Sequence, residues 1–196
     1  MCKVVYLTSR CFDWRSKQFK NLLADELRSR GIEVVTDTTC WLKMLFRRHK
    51  TYGIAIAFDF FREGTDGCGL TLNKQCSYLS RDFAYALSNN LDLLTPRIRW
   101  REFKFVDSYD KDWYKFFNKV SSATKAIFYL CTSTNPIEYD VFSVTKPQIV
   151  KVFADEIVRC LRSNYDYLSY QKSLRIARTK YNMRNKKRGI ENGVVE

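Results

Sequence analysis

Short apolar runs that alternate with amphipathic segments are the feature that most constrains the fold of this chain. Residues 3–8, 32–36, 53–60 and 126–131 are each apolar enough to form a strand, and runs of this kind are typical of strands covered on both faces. Helical periodicity occupies the stretches between them. Strands that alternate with helices predict an α/β fold, with a single open, mostly parallel sheet and helices on both faces.

The predicted helices follow from apolar residues at helical spacing. In the first of them, the apolar residues recur at i, i+3, i+4 and i+8, and Gly31 ends the pattern; they are Phe19, Leu22, Leu23 and Leu27. The loop-like segment 62–74 contains three glycines, and residues 97–107 are predicted to be extended. The helices are predicted at 14–30, 39–49, 75–91, 110–119 and 146–163, the last with Pro147 in its first turn.

The cysteine pattern disfavours metal and disulfide frameworks. The chain has seven cysteines and one histidine, His49, and no two cysteines have the Cys-x-x-Cys spacing. We therefore expect no metal and no cofactor, and we expect most cysteines to be small buried hydrophobic residues in a reducing cytoplasm. The cysteines are Cys2, Cys11, Cys40, Cys68, Cys76, Cys131 and Cys160.

Hydropathy predicts neither a membrane span nor a secretion signal. The apolar runs are far shorter than the roughly 20 residues that cross a bilayer. The first residues, Met-Cys-Lys-Val-Val-Tyr-Leu, enter a strand-like run without the regions of a signal peptide. These features predict a cytoplasmic protein.

The net charge of +13 is concentrated near the C-terminus. The segment from Arg159 to Gly189 carries +9, which leaves +4 for the remainder. We predict an α/β domain over 1–163 and a basic helical extension over 164–196, frayed after Gly189. The basic residues of the extension are candidate contacts to a polyanion or a partner: Lys172, Arg175, Arg178, Lys180, Arg184, Lys186, Lys187 and Arg188.

An apolar seam also runs through this extension. Tyr167, Tyr170, Leu174, Ala177 and Tyr181 follow a 3-then-4 spacing, which is typical of a short heptad pattern. Three interpretations stay open: the seam docks on the body of the protein, it pairs with a second copy in a homo-oligomer, or the helix lies on an anionic polymer.

A second basic cluster lies in the predicted extended stretch. As a strand, the run would place Arg97, Arg99 and Arg101 on one face. That face fits nucleic acid, an anionic cell-wall polymer or an acidic partner, and it fits equally an exposed edge strand that charge protects from aggregation.

Several short motifs occur in a fixed order between residues 14 and 160. A helix that ends at Gly31 leads into a strand that ends at Thr36, and Phe46-Arg47-Arg48 follows. The later motifs are Ala55-Ile56-Ala57-Phe58-Asp59, Gly64-Thr65, Ser80-Arg81-Asp82-Phe83-Ala84, Ala126-Ile127-Phe128-Tyr129-Leu130 and Thr134-Asn135-Pro136-Ile137-Glu138.

This order resembles the zinc-dependent N-acetylmuramoyl-L-alanine amidases, and the resemblance covers most of the chain. It implies the amidase fold. Residues 3–37 alone are also similar to a TIR-like strand, helix and strand, but the Gly-Thr and Asn-Pro motifs favour the amidase. Such an amidase holds zinc with two His and one Glu, and a further Glu acts as general base and acid.

The positions that correspond to those four residues carry other residue types. An alanine cannot ligate a metal, and an arginine repels one, so the resemblance implies the fold without the zinc or the chemistry. The degenerate positions are Arg10 (first His), Asp13 or Trp14 (zinc Glu), Ala57 (second His), and Tyr129 or Leu130 (catalytic Glu).

The end of the third predicted strand carries a further candidate site. Asp59, Glu63 and Asp66 could form a carboxylate pair or a weak cation site there. Cys68 is a candidate nucleophile without an evident base. The more ordinary interpretation, which we favour, is a solvated loop with one capping aspartate.

The sequence therefore favours a non-enzyme. The leading hypothesis is a catalytically inactive, amidase-like pseudoenzyme that binds a partner protein, and the resemblance suggests a phage or prophage regulator or inhibitor of a host process. One alternative is a nucleic-acid-binding protein that uses the basic Tyr/Arg-rich extension. Another is a peptidoglycan- or muropeptide-binding module, or a hydrolase with a non-standard site.

Overall fold

The computed structural model describes residues 4–10, 13–38, 51–61, 69–73, 76–94, 104–106, 114–132 and 134–191. The chain divides into two compact units, residues 1–161 and residues 162–196. The first unit contains the sheet, and the second contains helix.

Six strands form one sheet in the described part of the first unit. Their order is β2-β1-β3-β6-β4-β5, and every neighbouring pair is parallel except β4 with β6. The predicted open, mostly parallel sheet is confirmed. The strands are β1 (Val5–Ser9), β2 (Val34–Thr38), β3 (Thr51–Phe61), β4 (Gly69–Asn73), β5 (Lys104–Val106) and β6 (Ser121–Thr132).

Four described helices follow from apolar faces and side-chain caps. Asn135 begins the longest helix, because its side-chain oxygen accepts hydrogen bonds from the backbone N–H groups of Ile137 and Glu138 at 3.1 and 3.3 Å. Gly31 has a positive φ of 75° just beyond the first helix, a conformation that glycine adopts without strain. The helices are α1 (Trp14–Ser29), α2 (Tyr78–Leu94), α3 (Tyr114–Lys119) and α4 (Pro136–Glu191).

The larger core lies on the face of the sheet that α1, α2 and the first part of α4 cover. It is built around four phenylalanine rings. Phe153 of α4 lies 5.4 Å from Phe19 of α1, 5.7 Å from Phe58 of β3 and 4.8 Å from Phe128 of β6, measured between ring centroids. Edge-to-face rings of this kind contribute beyond the area that they bury. The cluster therefore joins two helices to the two central strands.

The opposite face of the sheet carries a smaller core. Phe116 and Phe117 of α3 pack there with Tyr6, Ala57 and Ile127. Helices therefore cover both faces of the sheet, as the apolar strands predicted.

Polar contacts link α4 to the helices beside it. Arg30, directly after α1, forms ion pairs with Glu26 and Asp155. The hydrogen bond to Asp155 raises the pKa of the Arg30 guanidinium above its ordinary value. In the same way, the buried carboxylate of Glu156 accepts hydrogen bonds from Asn90 Nδ2 at 2.8 Å and Arg159 Nε at 2.6 Å. These contacts fix α4 against α1 and α2.

Segment 62–74 was predicted as a loop, and that prediction is wrong over Gly69–Asn73. These residues form β4, which pairs antiparallel with β6 and parallel with β5. The glycines favoured a loop locally, but the backbone hydrogen bonds of two neighbouring strands override that preference.

The prediction that Pro147 begins a helix is also wrong. Helix α4 begins at Pro136, and Pro147 lies inside it. An internal proline costs roughly 3 kcal/mol, and burial of Ile149, Phe153 and Ile157 in the larger core offsets that cost.

Among the residues that the structure describes, no helix has the length and apolarity to cross a bilayer. The predicted helix over 39–49 lies outside the described residues.

We expect Phe153→Ala to destabilise the protein by about 3–5 kcal/mol, because it removes the ring that α1, β3 and β6 share. Urea unfolding followed by circular dichroism measures this free energy. Leu93→Ala is the matched control, since Leu93 is 83% exposed and should change stability by less than about 0.5 kcal/mol. Equal effects of the two substitutions would contradict the packing described here.

Candidate functional site

The carboxyl ends of β1, β3 and β6 lie side by side at one edge of the sheet. Ser9 is in register with Phe58, and Asp59 is in register with Tyr129. Ligands of open α/β sheets bind at the carboxyl edge. We call this region the carboxyl edge.

An ion pair occupies the middle of the carboxyl edge. Arg10, directly after β1, places its Nε 3.1 Å from the Oδ2 atom of Asp59. The other carboxylate oxygen, Oδ1, accepts a hydrogen bond from the Phe60 backbone N–H at 2.9 Å. Asp59 is only 3% exposed, so the expectation of a solvated loop aspartate is wrong for this residue. The structure thus joins two residues that the sequence analysis had placed in different candidate sites.

The remaining degenerate positions on the strands divide between the two faces of the sheet. Ala57 is fully buried in the smaller core, and Tyr129 is half-buried against the same cluster. Leu130 points to the larger core instead. Thr8, in register with Ala57, has a buried hydroxyl without a hydrogen-bond partner among the described residues. The face around Ala57 therefore offers hydroxyl groups and a methyl group.

Asp13 caps helix α1. Its carboxylate accepts hydrogen bonds from the backbone N–H groups of Arg15 and Ser16 at 3.2 and 3.3 Å. An aspartate at this position satisfies N–H groups that the helix leaves unpaired. Asp13 therefore has a structural role at the carboxyl edge.

An aromatic and cationic surface lies at the same edge, where α1 and α4 begin. The Arg15 guanidinium lies 5.6 Å from the centre of the Trp14 ring and 5.0 Å from that of Tyr139. Trp14 is 63% exposed and Ile137 is 75% exposed. We call Trp14, Arg15, Ile137 and Tyr139 the edge patch. Sequence reasoning missed it, although Trp14-Arg15 at a helix start and the Asn-Pro helix signal were both visible.

Two buried ionisable groups, Glu138 and Cys131, lie near the carboxyl edge. Glu138 is buried, and its Oε2 accepts a hydrogen bond from the Thr132 backbone N–H at 3.2 Å. Burial, reinforced by the charge of Glu138, raises the pKa of the Cys131 thiol to about 12. A thiol with that pKa is protonated at neutral pH, so Cys131 is a poor nucleophile.

A half-buried lysine lies nearer the amino end of β6, away from the carboxyl edge. Lys125 Nζ donates to the carbonyl oxygens of Phe117 and Val120 at 2.7 and 3.2 Å, at the end of α3. Burial lowers its pKa. These hydrogen bonds fix α3 against the sheet, since a cation at a helix C-terminus satisfies its last carbonyl groups.

Other candidate residues lie elsewhere or are not described. Lys172 and Arg188 bound the basic cluster of the extension, which belongs to helix α4 in the second unit. The candidates that lie outside the described residues are His49, Glu63, Asp66, Cys68, Arg97, Arg99 and Arg101.

The described residues at the carboxyl edge do not fit zinc. Protein zinc sites combine imidazole, thiolate and carboxylate ligands. The edge offers the Asp59 carboxylate, but both of its oxygens are already bonded and one of them faces an arginine. The described ranges contain no cluster of three His, Cys, Asp or Glu side chains that could hold a metal ion.

Comparison with solved structures identifies the class of fold. The catalytic domain of the CD27L endolysin that targets Clostridia Difficile matches with a TM-score of 0.64 and 14% identity, over 80% of this chain and 97% of that one. A putative N-acetylmuramoyl-L-alanine amidase from Neisseria meningitidis matches with a TM-score of 0.55 and 17% identity, over 80% of this chain and 94% of that one.

The amidase AmiC2 of Nostoc punctiforme matches with a TM-score of 0.54 and 11% identity, over 82% of this chain and 98% of that one. No protein-family model and no curated protein matches the sequence. The chain therefore has the fold of N-acetylmuramoyl-L-alanine amidases at low sequence identity. The predicted amidase-like fold is confirmed, and fold alone does not define function.

We expect Arg10→Ala to destabilise the protein by about 1–3 kcal/mol, because it removes a cation that bonds the buried Asp59 carboxylate. The double substitution Arg10→Met with Asp59→Leu should recover part of this loss, since it removes both charges. Urea unfolding of the three proteins forms the measurement.

The control for this experiment is Arg28→Ala, whose partner Asp25 is exposed. An exposed pair contributes at most about 1 kcal/mol. If Arg10→Ala lowered the free energy of unfolding no more than Arg28→Ala does, the buried ion pair would not stabilise the edge as described.

We expect Cys131 and Cys160 to resist alkylation in the folded protein at pH 8. Burial raises their pKa values, to about 12 for Cys131 and about 11 for Cys160, so both remain protonated thiols below those values. Cys76 is half-buried and should react before Cys131 and Cys160, the other two cysteines that the structure describes. Mass spectrometry after timed iodoacetamide labelling resolves the three sites, and labelling of Cys131 as fast as Cys76 would contradict this arrangement.

Proposed function

We propose that this protein is a non-catalytic member of the amidase-like structural class and that it acts by binding a partner protein at the carboxyl edge. The observation that carries the proposal is the ion pair between Arg10 and Asp59. Hydrolysis by a bound zinc ion needs metal ligands and an open coordination position for water. A guanidinium bonded to the nearest carboxylate provides neither.

The residue types at the corresponding amidase positions support the same conclusion. Ala57 has no ligand atom, and Tyr129 carries a phenol where an amidase carries a carboxylate general base. Asp13 is engaged in capping α1. Each position therefore has a structural role or an unsuitable side chain.

The edge patch supports binding of a protein. Tryptophan, tyrosine and arginine carry a large share of the binding energy at protein interfaces. Here the Arg15 guanidinium contacts two aromatic rings, and the exposed surfaces of Trp14 and Ile137 are available to a partner. The version that the resemblance suggests is a cytoplasmic phage or prophage regulator of a host process.

Two alternative functions replace the protein partner by a cell-wall ligand. A muropeptide-binding module would hold cell-wall fragments without cleaving them. A hydrolase with a non-standard site would need Asp59, Asp66 or Cys68, and Asp59 is bonded to Arg10. Both alternatives give measurable outcomes in the experiment below.

We expect the full-length protein, supplied with equimolar zinc, to release no more soluble peptide from purified peptidoglycan than a buffer blank. An N-acetylmuramoyl-L-alanine amidase serves as the positive control. Release that a chelator abolishes, or that Asp59→Asn abolishes, would overturn the proposal. If isothermal titration showed heat of binding to a soluble muropeptide, the ligand would be a cell-wall fragment, and the proposed protein partner would be wrong.

The partner side of the proposal is tested with paired surface variants. Trp14→Ala with Ile137→Ala should abolish co-purification of a specific, stoichiometric partner from the native host by tagged protein. Tyr85→Ala with Leu93→Ala, two exposed positions on α2, should leave it unchanged. Equal loss or equal retention in both variants would contradict binding at the edge patch.

A further inference from the structure

The C-terminal unit carries a high density of positive charge that the proposed function does not use. Its backbone is helical from Arg162 to Glu191. Between Lys172 and Arg188 the sequence has eight basic residues and no acidic residue. At 1.5 Å per residue, this segment spans about 25 Å of helix axis. A segment of duplex DNA of that length carries roughly 15 phosphate charges.

The basic positions cover about two-thirds of the helix circumference. At 100° per residue, Lys172, Arg175, Arg178, Lys180 and Arg184 fall within one arc of about 240°, and the seam residues fall in the remaining arc of about 120°. A helix that lies on a membrane needs a broad, strongly apolar face opposite its basic face. Here the opposite arc holds mainly tyrosine and alanine, while Ile176 and Met183 fall within the basic arc, which disfavours a membrane surface.

The basic residues beside the seam disfavour pairing with a second copy. If Leu174 and Ala177 are core positions of a heptad, Arg178 and Lys180 fall at the flanking positions. In a pair of identical helices, these flanks would place like charges opposite one another. The seam therefore lacks the complementary charges that usually specify a coiled coil.

A helix with basic residues over most of its circumference fits a groove whose two walls are both anionic. The major groove of B-DNA is about 12 Å wide, admits an α-helix and has a phosphate backbone on each side. The major groove of A-form RNA is too narrow for side chains to read. We propose that helix residues 162–191 bind duplex DNA, with affinity that comes mainly from phosphate contacts. This inference goes beyond the proposed function and does not depend on it.

The test is fluorescence anisotropy of a labelled 24-base-pair duplex with the full-length protein over a series of salt concentrations. We expect log K to fall with log salt concentration with a slope of about −4 or steeper. Arg175→Gln with Arg178→Gln and Lys180→Gln should weaken binding at least about tenfold and flatten the slope by about 2–3. Glutamine is a good helix former, so the helix should persist.

The matched control removes the same charge from the first unit: Lys17→Gln, Arg81→Gln and Lys151→Gln, all at exposed positions. This variant should change affinity much less than the variant in the extension. Equal losses would attribute binding to net charge alone and overturn the proposal. Circular dichroism of both variants verifies that their helix content is unchanged.

Competing ligands complete the design. Single-stranded RNA of equal charge and vesicles of phosphatidylserine and phosphatidylcholine are offered to the same proteins. Tighter binding to either ligand than to the duplex would overturn the proposal, as would sedimentation of the protein as a dimer through this segment with no affinity for DNA.

Discussion

The contact of four phenylalanine rings on one face of the sheet is the constraint on which the first unit depends. Phe153 meets rings from α1, β3 and β6, so one side chain determines how two helices and two strands are placed. The starts of α1 and α4 follow the ends of β1 and β6 after a few residues. The aromatic core therefore brings the helix starts and the strand ends to one edge, and every candidate group at that edge depends on it.

Three acidic side chains at the carboxyl edge are bonded to the protein itself. Asp59 pairs with Arg10, Asp13 caps α1, and Glu138 accepts a hydrogen bond from the end of β6. Because buried polar groups are costly without partners, these bonds stabilise the edge. They support the proposal of recognition over hydrolysis, and the exposed Trp14 ring and Ile137 provide apolar area of the kind that recognition uses.

Apolar periodicity predicted the parallel sheet, the positions of α1 and α2 and the coverage of both faces, because these features depend on local pattern. It missed β4, since pairing with β5 and β6 decides that strand and Gly69 argues against it locally. It placed the start of α4 at Pro147, although Asn135 and Pro136 carry a sound start signal.

The candidate site was harder to predict than the fold. Arg10 and Asp59 lie far apart in sequence, and only the register of β1 against β3 brings them together. In the same way, the contact of Arg15 with Tyr139 requires that α1 and α4 begin at one edge. Contacts between distant segments of this kind depend on the assembled sheet, which no local spacing encodes.

The zinc content of the purified full-length protein tests the central claim most directly. The protein is incubated with excess zinc, passed through gel filtration and examined by elemental analysis for metal per chain. We predict far less than one zinc per chain, because the proposal assigns Arg10 to a ligand position and its guanidinium pairs with the Asp59 carboxylate. One zinc per chain that survives a moderate chelator would contradict it.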